Sequence, residues 1–345
     1  MEDWIEHVMA SLHGGVLFFL IALMLYVLGK GADILIDEAV ILSEHWGVPK
    51  VLIGATIVSL GTTTPEAAVS VLAAVQGSAE LALGNAVGSI LCDTGLILGI
   101  AALIAPLPLD RAIVNRQGWV QLGSGVLLVV ACLPFTALGT TLSTGGRLPQ
   151  MAGLGFLGLL VIYLWLSVRW TRDGAASSLL SDGTEREDTG SSWVGLVKLI
   201  VGIGIVVGSS WILIPAVREA AMRLHIPPSI IAATLVAFGT SLPELVTAVT
   251  AARRGHGELA VGNIVGADIL NVFFVAGAAA AVTAGGLPAA PYFFRLLFPA
   301  MLVVLVVFRC GIFLSGSTLK RPFGVVLIGM YIAVTVLSYM WRIEL

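Results

Sequence analysis

Charge is scarce in this chain: of 345 residues, 18 are Lys or Arg and 21 are Asp or Glu, a net of −3 at neutral pH. So thin a balance lacks the basic surface on which nucleic-acid binding depends. Cysteine is scarcer still. Cys92, Cys132 and Cys310 fall within apolar runs, where a free thiol behaves as a small hydrophobe, so no disulfide framework is expected. The five histidines, His7, His13, His45, His225 and His256, sit near the ends of apolar runs, and none is read as a ligand. A basic leader is also missing. The start, MEDWIEH, is acidic, so the first apolar segment is expected to stay in the protein. Polar linkers are almost absent: the one clear case is TRDGAASSLLSDGTEREDTGSS, residues 171–192, between Trp170 and Trp193, and it is too short for a folded domain.

What the chain does hold is hydrocarbon. Hydrophobic residues make up 58% of it, and the mean hydropathy is +1.01. Apolar runs of 18 to 25 residues recur along nearly its whole length. Only helices and closed barrels satisfy their backbone inside lipid. A barrel needs alternating segments of ~10 residues, and these runs are too long and too uniform for that. The expected fold is therefore all-α and polytopic, with ten spans near 15–42, 50–75, 81–105, 118–138, 150–170, 193–221, 228–252, 258–283, 291–310 and 322–342. The 40 glycines scattered through them permit close helix packing. With the N-terminus outside, eleven Lys or Arg fall in inner loops and five in outer ones. That bias puts both termini outside and the linker in the cytoplasm.

One span contains a contradiction. LGTTTPEAAVS, residues 60–70, sets proline, three threonines and an ionisable Glu66 in the middle of an apolar run. Shifted by 178 residues it lands on FGTSLPELVTA, residues 238–248. Residues 51–99 align with 229–277 without a gap, with 20 identities in 49 positions. They include Thr56/Thr234, Gly61/Gly239, Thr62/Thr240, Pro65/Pro243, Glu66/Glu244, Gly84/Gly262, Asn85/Asn263 and Gly88/Gly266. Biased composition does not produce paired P-E and G-N-x-x-G at one offset. The motif lies in the second and the seventh span, and a separation of five spans reverses its direction. The expected domains are thus a five-helix repeat over 1–170, the linker, and an inverted five-helix repeat over 193–345. Many secondary transporters are built this way, with their sites at the midplane.

Each proline removes a helical hydrogen bond, from the carbonyl of Gly61 or of Gly239, so each helix is expected to open there. Free carbonyls are tolerable only where they line a cavity. Glu66 and Glu244 stand beside the breaks, and the partner spans GNAVGSILCD and GNIVGADILN add Asn85, Ser89, Asp93, Asn263, Asp268 and Asn271. All these donors are oxygen, which suits Ca²⁺ or Na⁺ and argues against zinc or copper. Four acids at mid-membrane would cost on the order of 10 kcal/mol unless paired or bound, at roughly 2.5–3.5 kcal/mol each. Chance does not preserve such a burden. Lys30 and Asp33 are spaced to pair along one helix, while Asp37, Glu38 and Glu44 approach the inner interface. Asp268 is read either as a ligand or, as its position beside the motif favours, as a residue behind the ligands.

These residues resemble the cation/calcium exchanger superfamily, most closely the microbial sodium/calcium exchangers. GTSLPE at 239–244 matches the family's repeat motif in full and GTTTPE at 61–66 nearly so, each followed by G-N-x-x-G. The resemblance implies an antiporter exchanging Ca²⁺ for Na⁺, in a cell membrane, with no cofactor and no enzymatic activity. It implies Glu66 and Glu244 as a central pair shared by both ions, with the backbone carbonyls of Thr62 and Thr240 around calcium. Carbonyls of Ser59 and Ala237 would serve flanking sodium sites. Thr63 and Ser241 are the matching hydroxyl positions, Ser89 is a further ligand position, and Asp93 and Asn271 complete the middle of the site. The first and sixth helices correspond to the family's long sliding pair. The chain departs from the pattern at Ala267, where Ser is usual, and at Ile90, where Asn is common and where Asp268 stands in the other half. Proton-coupled and potassium-dependent exchangers share much of the pattern and are the alternatives. An intramembrane aspartyl protease is a remote one, since the symmetric acids here are glutamates beside broken backbone.

Overall fold

The structure is a computed structural model describing residues 2–109, 111–136, 138–178, 192–224 and 239–343. A short helix α1 (Glu2–Ser11) precedes the long α2 (Gly14–Trp46). There follow α3 (Lys50–Thr62), α4 (Thr64–Val75), α5 (Ala79–Ile104), α6 (Arg111–Cys132) and α7 (Gln150–Ser178). The second half supplies α8 (Ser192–Arg223), α9 (Leu242–Arg253), α10 (Gly257–Val282), α11 (Phe293–Leu314) and α12 (Arg321–Ile343).

Helix ends follow local chemistry. The side chain of His13 accepts the N–H of Gly15 (3.3 Å) at the start of α2. Gly47, at φ 63°, closes the other end by donating to the carbonyls of Glu44 and Ser43, a left-handed stop that glycine alone adopts without strain. α6 is a correction to the expected span 118–138: it begins at Arg111 and ends at Cys132, just before Pro134, which cannot continue a helix.

Among the described residues, seven helices are long and apolar enough to cross a membrane, or eight if α3 and α4 form one bent span. The ten-span expectation exceeds that by two. α6 has the length but is diluted by Asn115, Arg116, Gln117, Gln121 and Ser124. The other is 228–252, of which residues 225–238 lie outside the described set, as do linker residues 179–191, His225, Thr234 and Ala237.

α2 and α8 pack along one another. They approach closest where glycines face backbone: a Cβ on Gly31 would lie 2.7 Å from Ile205, and one on Gly202 would lie 2.9 Å from the amide of Leu35. Behind them, α3 lies against α10. A Cβ on Gly54 would meet the carbonyl of Leu259 at 2.6 Å, one on Gly266 would meet Ala55 and Ser59 at 2.6 Å, and one on Gly262 would collide with the carbonyl of Val51. These glycines exist for helix approach.

Two small strand pairs tie the halves together. β1 (Leu107–Pro108), just after α5, pairs antiparallel with β4 (Thr318–Leu319), and β2 (Gly146–Leu148) pairs antiparallel with β3 (Leu287–Ala289), which follows α10. β1 packs against the start of α10 at Gly257, and β3 against the first turns of α5. α5 and α10 therefore run antiparallel, each beginning where the other ends.

Candidate functional site

Local backbone sets the stage. The α3–α4 pair is bent by 41° at Thr63. Pro65 falls on the first turn of α4, where a missing N–H would be unpaired anyway. The expected opening takes the form of a corner: Thr63 still donates to Ser59 (2.8 Å), and Ala67 still reaches the carbonyl of Thr63 (3.1 Å). Pro243 occupies the same place at the start of α9. Each proline is followed by a glutamate in the first turn of its helix. In the facing helices, wide π-helical turns occur at Leu91–Ile97 of α5 and Asn271–Ala276 of α10. Such turns recur at functional sites because they re-aim side chains without ending the helix. Asp93 and Asn271 sit on them.

The side chains then meet crosswise between the halves. Thr63 donates to Glu244 Oε1 (3.3 Å) and Ser241 donates to Glu66 Oε1 (3.4 Å). Thr62 reaches Asn263 Oδ1 (3.4 Å) and Thr240 reaches Asn85 Oδ1 (3.3 Å). Both pairs are reciprocal at the 178-residue offset, as a two-fold axis between the motifs requires. On that axis, Asn271 Nδ2 donates to Asp93 Oδ2 (3.4 Å). Asn85 Nδ2 also holds the carbonyl of Glu66 (3.4 Å) and Ser70 Oγ (2.9 Å).

Of the residues implied by the resemblance, Glu66, Glu244, Asp93, Asn271, Thr62, Thr63, Ser59, Ser89 and Ser241 are buried, and Thr240 is half-buried. Ala237 lies outside the described residues. Five oxygens among them, Glu66 Oε2, Glu244 Oε2, Asp93 Oδ1, Asn271 Oδ1 and Ser89 Oγ, are buried without a hydrogen-bond partner among the described residues. A buried carboxylate oxygen left bare is costly. A bound cation relieves several at once. Among the described residues no three of His, Cys, Asp and Glu gather as a ready-made metal centre. The acids are instead interleaved with hydroxyls, amides and carbonyls, an all-oxygen donor set that fits Ca²⁺ or Na⁺.

Asp268 stands aside from this centre. Its Oδ2 accepts Gln121 Nε2 (2.6 Å) from α6 and the hydroxyl of Thr94, while Gln121 also reaches Thr94 (3.2 Å). Sequence reasoning passed over Thr94, Ser70 and Gln121. A polar residue inside a long helix was the signal at Gln121, and the depressed hydropathy of α6 carried it. Gln117 of the same helix accepts the hydroxyl of Tyr163 (3.0 Å).

Comparison with known proteins identifies the family. The family model described as sodium/calcium exchanger protein matches residues 16–169 and 194–340. The sodium/calcium exchanger MaX1 of Methanosarcina acetivorans is 32% identical over 351 residues, covering 93% of this chain and 98% of that protein. The inner membrane protein YrbG of Escherichia coli is 31% identical, covering 89% of this chain and 92% of its own. A solved structure of the sodium-calcium exchanger NCX_Mj superposes with a TM-score of 0.75 at 26% identity, covering 93% of this chain and 98% of that one. With crossed carboxylates, bent helices and a family match across both halves, the chain is a multi-pass membrane protein belonging to the sodium/calcium exchanger family.

Proposed function

We propose that the chain is a secondary antiporter exchanging Ca²⁺ for Na⁺ by alternating access, with Glu66 and Glu244 as the shared central ligands. One observation carries this reading: the two glutamates are held reciprocally across the halves, and each keeps one buried oxygen bare. Two carboxylates neutralise one Ca²⁺. Asp93 raises the count to three, which balances three Na⁺. Carbonyls of Thr62 and Thr240 complete the calcium shell, and those of Ser59 and Ala237 serve the flanking sodium sites. Thr63, Ser241, Ser89 and Asn271 supply the remaining oxygens. Because the ions compete for one set of oxygens, the empty site carries uncompensated charge and is the poor state to move. That favours exchange over leak.

The reading includes ten spans in two inverted halves, α6 and the 228–252 segment being the two beyond those counted above. The halves are 1–170 and 193–345, with both termini outside and 171–192 in the cytoplasm. The double family match and the antiparallel α5–α10 pair support it. α2 and α8 are the pair that slides across the core.

The test is calcium uptake into proteoliposomes driven by an outward sodium gradient. Uptake that follows the sodium gradient supports the reading. Uptake driven only by a proton gradient, or requiring potassium, would replace sodium as the coupling ion. Peptide cleavage without ion flux would overturn the class.

A further inference from the structure

Away from the glutamates, α2 and the far end of α9 line an open cleft of about 390 Å³, and Leu25, Tyr26, Lys30, Asp33, Arg253 and Arg254 are among the residues lining it. Three cations face one carboxylate. Arg254 is engaged, with Nη2 on Asp33 (2.8 Å) and Nη1 on Asp37, and Lys30 Nζ stands 3.6 Å from the same Asp33. Arg253 is exposed and makes no ion pair with the described residues. Counting Asp37 as well, the pocket keeps one positive charge in surplus. A mouth so charged repels Ca²⁺ and Na⁺, so it is no route to the transport site. It attracts an anion.

Depth says which anion. From Gly14 to Gly29 α2 carries no charged residue, sixteen residues in all. That is about 24 Å of helix against a hydrocarbon core of about 30 Å. Lys30 follows at once and shares Asp33 with Arg254 at the end of the opposing helix, so the three cations lie at one depth. The apolar part of α2 ends there, short of the expected 15–42, and the rest of the helix projects past the hydrocarbon. Leu25 (52% exposed) and Tyr26 (65% exposed) continue the pocket toward the hydrocarbon. Basic pockets between helices at the cytoplasmic face suit lipid headgroups, and a tyrosine suits the interface beside them. At the repeat offset, Arg253 and Arg254 stand against Val75 and Gln76, so the feature belongs to one half and one face alone.

We propose that this cavity binds the phosphate headgroup of an anionic membrane phospholipid, with Arg253 and Lys30 on the phosphate and acyl chain along Leu25 and Tyr26. Such a lipid bridges α2 to α9. The claim stands on its own charges and depth, and its test reads binding, not transport. The protein is reconstituted in phosphatidylcholine with a small fraction of spin-labelled phosphatidylglycerol, and the immobilised fraction of label is measured. Wild type should select the anionic label. Arg253→Gln should lower that selectivity roughly fivefold and Lys30→Gln/Arg253→Gln further, about the weight of one basic group each beside an anionic leaflet. Both side chains are solvent-facing, and gel filtration checks that the variants fold. Equal selectivity in wild type and double variant overturns the proposal. Inorganic phosphate abolishing the selectivity, and binding the lipid-free protein in detergent, would make the occupant a soluble anion and overturn the lipid assignment.

Discussion

Replacing Glu66 by Gln keeps size and one acceptor oxygen but deletes a charge. Glu66 is fully buried, its Oε1 takes the hydroxyl of Ser241, and its Oε2 is bare. At a ligand distance of ~2.4 Å and an effective dielectric of ~20, a carboxylate and Ca²⁺ attract by roughly 14 kcal/mol. Most of that replaces hydration. The net loss on breaking a buried charge pair is about 3–5 kcal/mol. Calcium affinity should therefore fall between about a hundredfold and a few thousandfold. Uptake at low calcium should fall by the same factor, measured as sodium-driven flux into proteoliposomes. Because the hydrogen bonding is reciprocal, Glu244→Gln should match it within about tenfold, a 1.4 kcal/mol difference being one decade. Stability should move the other way. Without ions, an uncompensated acid at mid-bilayer costs roughly 2.5–3.5 kcal/mol. The ion-free variant should thus melt at or above the wild-type temperature, and calcium should raise the Tm of wild type only. Near-normal flux in either variant would refute the site. So would a variant that loses flux because it no longer folds.

Asp93→Asn should weaken sodium's competition against calcium more than calcium binding itself, since three charges balance three Na⁺ and calcium needs two. Calcium uptake titrated with sodium at fixed pH checks this, and equal losses would make Asp93 a shared ligand. A cysteine at Ser143 and one at Ser178 should react with impermeant reagent from opposite sides of the membrane; reaction from one side would contradict the inverted halves. Gln121→Leu should lower stability by about 1–3 kcal/mol, because Asp268 loses a buried donor. Thermal melting measures it, and an unchanged Tm would mean that Asp268 does not depend on Gln121.

Much of the molecule was legible before any coordinates. Hydropathy placed the helices because an apolar run answers to lipid locally, with no knowledge of its neighbours. The paired P-E motifs located the glutamates, and their odd spacing in spans implied opposite directions. α6 was read as a span at 118–138; its bounds are Arg111–Cys132, and hydropathy alone does not count it among the membrane-crossing helices. Its polar face is satisfied by distant partners, Asp268 for Gln121 and Tyr163 for Gln117, and a hydropathy window does not see them. The break beside Pro65 was legible in the sequence, and its form, a 41° corner at Thr63, was not.

The residue order by itself determined a helical membrane chain, a doubled motif and two acids set within apolar runs, because all three depend on local composition and on counting. Only the tertiary structure decided that Thr63 serves Glu244 while Ser241 serves Glu66, that Asn85 bridges Ser70 and Thr240, and that Asp268 turns away toward α6. Those pairings join residues 15 to 181 positions apart. They depend on how closely helices approach, which glycines such as Gly54 and Gly266 permit and packing alone selects.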